Sequence, residues 1–106
     1  MKYDIVIIGS GPGGYVAAIR AAQLGKKTAI VERDALGGVC LNRGCIPTKA
    51  LLKSAQVWTY VKHAAKYGVK VEGEASPSLA EMVDRAREVA STMSRGVDFL
   101  LKKHGV

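Results

Sequence analysis

Two cysteines, Cys40 and Cys45, are the only thiols in the chain, and four residues separate them inside Gly37-Gly38-Val39-Cys40-Leu41-Asn42-Arg43-Gly44-Cys45-Ile46-Pro47-Thr48-Lys49. Two thiols at this spacing can close a structural disulfide, join a metal site, lie inert in a core, or cycle between dithiol and disulfide. A structural disulfide closing so small a loop contributes only about 2 kcal/mol by loop entropy. Zinc needs further ligands, and the two histidines, His63 and His104, do not fall at finger-like spacing. Flanking glycines and Lys49 favour the redox chemistry. On a regular helix, residues five apart are ~7.5 Å apart along the axis, beyond the ~7 Å Cα span of a disulfide. A bond between these thiols therefore needs a break in any helix that carries them. Asn42, Gly44 and Pro47 supply the irregularity, and Ile46, preceding a proline, is expected outside the α region. If the following helix already includes Cys45, Lys49 lies one turn on and faces the same way. The cation and the helix N-terminus would then make Cys45 the more acidic thiol.

The segment before the thiols is what must position them. Ile5-Val6-Ile7-Ile8 is a β-branched run of strand length, followed by Gly9-Ser10-Gly11-Pro12-Gly13-Gly14, a G-x-G-x-x-G turn. A small-residue helix, Tyr15 to Leu24, comes next, Gly25 stops it, and Thr28 to Glu32 reads as a second strand. This is an opening β-α-β of a dinucleotide-binding fold. Gly9 permits the tight exit from the strand, Gly11 lets backbone approach a pyrophosphate, and Gly14 lets helix and strand pack closely. Ala17, Ala18, Ala21 and Ala22 keep the helix thin against the sheet. Glu32, eighteen residues past Gly14, stands where a carboxylate would accept the hydroxyls of an adenosine ribose.

Beyond the thiols, the pattern predicts a helix from Pro47 to Tyr67 with Leu51, Ala55, Trp58, Val61 and Ala65 on its buried stripe. Gly68 closes it, and Val69 to Glu72 is a candidate short strand before a polar turn. Apolar residues from Leu79 to Leu101 then recur at helical spacing, predicting a long amphipathic helix ending near His104-Gly105.

With 106 residues, 48% of them hydrophobic and 24% charged, the composition is that of one globular domain rather than a disordered chain. The net charge of +7 raises nucleic acid as a partner, but the basic residues are scattered and no aromatic platforms interleave with them. Neither nucleic acid nor membrane is an expected partner: no stretch approaches the ~18 apolar residues of a membrane span. The apolar start is too short for a signal peptide, so a reducing, cytoplasmic setting is expected.

The pattern as a whole resembles the N-terminal part of the flavin-dependent pyridine nucleotide-disulfide oxidoreductases. Tyr3 through Gly14, Ala17 through Gly25, Glu32 and the block from Gly37 to Leu52 carry the likeness. Within that family, Leu41-Asn42 and Ile46 through Leu52 are similar to the lipoamide-using members. The resemblance implies an α/β fold class: an incomplete Rossmann-like FAD-binding domain over residues 1–106, a β-α-β followed by two long helices, with NAD and dimer-interface domains absent. It implies FAD with its pyrophosphate over Gly9, Gly11 and Gly14, its ribose on Glu32, and its flavin lined by Gly38, Cys40 and Lys49. Cys40 would be the thiol that meets substrate and Cys45 the thiol against the flavin. The implied activity in the full-length enzyme is oxidation of dihydrolipoamide with reduction of NAD. The implied partners are a lipoyl-bearing acyltransferase of a 2-oxo acid dehydrogenase complex and, at full length, a second copy in a homodimer. The family's acid-base histidine lies in the interface domain, so the 106-residue chain alone is expected to be inactive and to bind FAD weakly. Other readings are a disulfide reductase of the mercuric or glutathione type, and a non-catalytic dinucleotide-binding fragment.

Overall fold

The computed structural model describes residues 1–106. The β-branched run forms strand β1 (Ile5–Ile8), which pairs in parallel with β2 (Thr28–Val31), Ile5 opposite Thr28 and Ile8 opposite Val31. Helix α1 (Pro12–Gln23) crosses between them. It starts three residues earlier than its apolar pattern indicated, because the fixed φ of Pro12 suits a first helical position and its missing N–H is no loss there. Ala18 and Ala21 are the buried face of α1, the close contact their small side chains were expected to make.

Four further segments complete the chain: α2 (Gly38–Arg43), α3 (Cys45–Lys62), a 3-10 turn at Ala64–Tyr67, and α4 (Leu79–Lys103). Ser78 caps α4, its hydroxyl accepting from the Glu81 N–H at 3.3 Å, and Lys102 and Lys103 occupy the last turn where the helix dipole favours cations. The core is a small cluster that crosses element boundaries, with Ala18 of α1, Leu41 of α2, and Val97 and Leu101 of α4 packed together and Ile7 and Ile30 of the sheet against them. Leu41 is thus the bolt between the β-α-β unit and the helices.

The architecture is the incomplete Rossmann-type unit expected, with a sheet of two strands. Parallel strands are normally covered on both faces, yet Ile8 is 88%, Val6 56% and Val31 54% exposed. The radius of gyration, 19.4 Å, exceeds the ~13 Å of a compact domain of this length, so the molecule is elongated. No helix is long and apolar enough to cross a membrane.

Three local expectations are corrected. Ile46 lies inside α3, which begins at Cys45. Pro47 falls within the first turn, where N–H groups have no intrahelical partner, and the helix ladder opens with Thr48 N–H donating to Gly44 O at 3.1 Å. The inward stripe of α3 runs through Ala50, Ser54, Trp58 and Val61, whereas Leu51, Ala55 and Ala65 are exposed, and the α-helix ends at Lys62, short of Tyr67. That stripe faces α4, whose Arg85 donates to Ala50 O at 3.0 Å and to the Ser54 hydroxyl at 3.4 Å. Val69 to Glu72 forms no strand, since β-branched residues make one only where another strand offers a ladder.

Candidate functional site

The glycine turn after β1 is shaped by close approach. Gly9 has φ +97°, a conformation that side chains rarely adopt, and a Cβ at Gly14 would lie 1.9 Å from Gly9 O. Around Gly11 and Gly13, by contrast, a Cβ would meet nothing within 4 Å. No side chain caps the N-terminus of α1 and no acidic residue stands in its first turn. The opening N–H groups and positive dipole end are therefore uncovered beside a side-chain-free surface, which fits a pyrophosphate.

Glu32 follows the end of β2, and its carboxylate is held by backbone and hydroxyl donors. Ser10 N–H donates to Oε2 at 2.8 Å, the Ser10 hydroxyl donates to the same oxygen at 2.5 Å, and Asp34 N–H donates to Oε1 at 3.0 Å. The Ser10 hydroxyl above all, with these backbone N–H groups, lowers the Glu32 pKa to about 2. These donors hold the carboxylate ionised, as an acceptor-only group beside the glycine turn.

The same turn grips the thiol segment. Gly37 N–H donates to Ser10 O at 3.0 Å and lies 3.3 Å from the Ser10 hydroxyl oxygen. Gly38, with φ +69°, sits so close to the turn that a Cβ there would be 2.6 Å from the Gly11 Cα. The Asn42 amide donates to Leu36 O at 3.0 Å and Gly38 O at 2.9 Å, fastening α2 to the loop before it, and Ser94 of α4 donates to Leu36 O at 2.7 Å. The Arg43–Asp34 ion pair, at 3.0 Å, is solvent-exposed on both sides and adds little.

Cys40 lies in α2 and Cys45 opens α3, with the helix broken between them at Gly44 (φ −127°, ψ −112°). Gly44 is pressed against the chain it leaves, since a Cβ there would be 3.0 Å from Val39 O and 3.3 Å from the Cys40 Cα. This is the break that a bond between the two thiols requires. Both are free thiols, Cys40 half-buried and Cys45 exposed. A hydrogen bond with the Cys45 side chain pushes the Cys40 thiol above its ordinary range, burial adds to the rise, and the Lys49 cation pulls the other way.

Of the residues singled out from the sequence, Gly9, Gly11, Gly14, Glu32 and Gly38 converge around Ser10. Cys40, Cys45 and Lys49 follow on the broken helix that starts there. Sequence reasoning missed Ser10, Gly37 and Ser94. The signal for Ser10 was a hydroxyl inside an otherwise glycine-rich turn. Nothing local marks Ser94, whose partner is 58 residues away.

A family model described as "Pyridine nucleotide-disulphide oxidoreductase" matches residues 3–106. Among curated relatives, a dihydrolipoyl dehydrogenase of Rhizobium etli is 57% identical over 105 residues, covering 99% of this chain and 22% of that protein. One from Acholeplasma laidlawii is 52% identical, covering 99% of this chain and 31% of the relative. One from Bacillus subtilis is 51% identical over 102 residues, covering 96% of this chain and 21% of the relative. The chain thus spans between about a fifth and a third of the length of these relatives.

Proposed function

The chain belongs to the pyridine nucleotide-disulphide oxidoreductase family, and from that premise we propose that it is the nucleotide-binding and dithiol part of a dihydrolipoyl dehydrogenase. The observation that carries this reading is the placement of two thiols across the Gly44 break, on a helix whose start is locked to the glycine turn. Gly9, Gly11 and Gly14 would take the pyrophosphate of FAD, Glu32 its ribose, and Gly38, Cys40 and Lys49 would line its flavin. When bound, FAD supplies an acceptor for the electron pair of the reduced thiols and a donor of that pair to NAD.

The chemistry of the chain's own residues is thiol–disulfide exchange. In the oxidised form, a substrate thiolate attacks the Cys40 sulfur. A new S–S bond forms, the Cys40–Cys45 bond breaks, and the electron pair leaves on the Cys45 sulfur. The second substrate thiolate then attacks its neighbour's sulfur, the cyclic disulfide departs, and the Cys40 sulfur takes the electron pair and a proton. A raised Cys40 pKa suits that last proton uptake. Lys49, one turn beyond Cys45 on α3, would support the anionic Cys45 sulfur by charge. A lipoyl-bearing acyltransferase of a 2-oxo acid dehydrogenase complex would present the substrate, and the remaining domains would supply the NAD site, the dimer contact and the acid-base histidine.

The test is dihydrolipoamide-dependent NAD reduction by the protein extended to the length of its relatives. Turnover is expected, and Cys40→Ser or Cys45→Ser abolishes it. Turnover that survives either substitution contradicts the reading. The 106-residue chain alone is expected to show none.

A further inference from the structure

Ser10 is fully buried, and its hydroxyl is engaged twice: it donates to Glu32 Oε2 at 2.5 Å and accepts from Gly37 N–H at 3.3 Å. Its backbone repeats both links, Ser10 N–H to Glu32 at 2.8 Å and Gly37 N–H to Ser10 O at 3.0 Å. Glu32 and Gly37 make no hydrogen bond with one another. Gly37 is the cap residue of α2, the helix that carries Cys40.

We infer that Ser10 is a positioning residue that couples the Glu32 carboxylate to the start of the cysteine-bearing helix, its hydroxyl adding a switchable link to the fixed backbone bonds between the two ends of the site. The hydroxyl has a single proton. While Glu32 is ionised, that proton points at the carboxylate and leaves the oxygen's lone pairs facing the Gly37 amide. When the carboxylate is protonated, or gives up this bond to a ribose hydroxyl, the hydroxyl is free to turn and the Gly37 amide, still bonded to Ser10 O at 3.0 Å, loses its second acceptor. The one other link from Glu32 to α2 runs through Asp34 to Arg43, a solvent-exposed pair at the far end of α2 and not at its Gly37 cap. Arg33 and Asp34 reach it only through backbone N–H groups, and the Asp34 carboxylate is paired with Arg43. No other side chain bonds both Glu32 and α2 or its cap.

The inference deepens the nucleotide-site reading and rests on it for its functional meaning, but its physical content can be read without FAD. In the 106-residue chain, the Gly37 amide resonance is followed by NMR while the Glu32 carboxyl is titrated with acid. The expected result is that Gly37 shifts with the midpoint of Glu32. In Ser10→Ala, the Gly37 response disappears and the Glu32 midpoint rises. A Gly37 resonance indifferent to Glu32 in the unsubstituted chain overturns the coupling without any variant having to fold. So does a Ser10→Ala chain that keeps both the Glu32 midpoint and the Gly37 response.

FAD titration of the protein extended to the length of its relatives forms the second arm. Ser10→Ala is expected to weaken FAD about tenfold, the cost of a charge-assisted hydrogen bond, and by much less in a Glu32→Gln background. An equal loss in both backgrounds overturns the positioning role. If the unsubstituted chain and Glu32→Gln take FAD equally, the ribose assignment of Glu32 fails. The Gly37 titration still decides the coupling.

Discussion

Around Ser10, the glycine turn, the end of β2 and the start of α2 meet at hydrogen-bond and sub-van-der-Waals Cβ distances, whereas around Tyr67 the chain is held by little more than surface contacts. In the second region the 3-10 turn buries nothing. Tyr67 is 67% exposed and touches Tyr60 edge-on at 5.7 Å between ring centroids. Val57, Tyr60, Val69 and Val71 line an open apolar groove of about 380 Å³ beside it. The first region is specified by backbone proximity and polar bonds, which tolerate almost no change of shape. The second has apolar side chains but no apposed surface, so its sequence is loosely constrained by this part of the fold. The dithiol segment belongs to the first kind. Its start is bonded to the glycine turn, and Leu41 and Leu36 tie it to α4.

The largest expected effect follows from Gly14. A methyl group 1.9 Å from Gly9 O must push α1 off β1, so Gly14→Ala is expected to cost more than about 3 kcal/mol and to abolish a cooperative thermal transition followed by circular dichroism. A normal melt would show that the turn is not the rigid region described.

Acid probes the same region through Glu32. Its carboxyl lies at about 2 in the folded chain against an ordinary 4.5, so the ionised form is preferentially stabilised by folding. That stability is fully present above pH 4.5 and is lost as pH falls toward 2. Urea melts between pH 5 and 2 are expected to lose it progressively, and Glu32→Gln to lack that component of the slope. An unchanged slope in the variant contradicts the clasp.

The smallest effect is expected at the loose region. Tyr67→Ala removes an exposed ring and one edge contact, at a cost of about 0.5 kcal/mol or less in a denaturant melt. A cost comparable to that of Gly14→Ala would erase the contrast between the two regions.

What was legible in the sequence follows the same division. The glycine turn, the place of Glu32 beside it and the break between the thiols could be read because close approach and an interrupted helix each impose a residue type at a fixed local spacing. Gly14 has to lack a side chain where helix meets strand, and Gly44 has to interrupt a helix for the thiols to meet. The rotation of α3 could not be read. Its apolar pattern allows Leu51 and Ala55 on the inner face as readily as Ala50 and Ser54, and the choice depends on packing against α4, whose Arg85 is 35 residues from Ala50. The strand proposed at Val69 to Glu72 failed for a related reason, since strand formation depends on a neighbour that local propensity does not supply. Ser10 was hidden inside a motif read for its glycines.

The central claim is that Cys40 and Cys45, brought together across Gly44, form a reversible dithiol. Equilibrating the chain anaerobically with lipoamide and dihydrolipoamide at varied ratios, then quenching, alkylating free thiols and weighing the product, tests it directly. Both thiols are expected to disappear together as lipoamide rises, with a mass lower by two hydrogens and no dimer, and to return as dihydrolipoamide rises. Thiols that remain alkylatable at every ratio, or that are lost only to intermolecular adducts, would contradict the account.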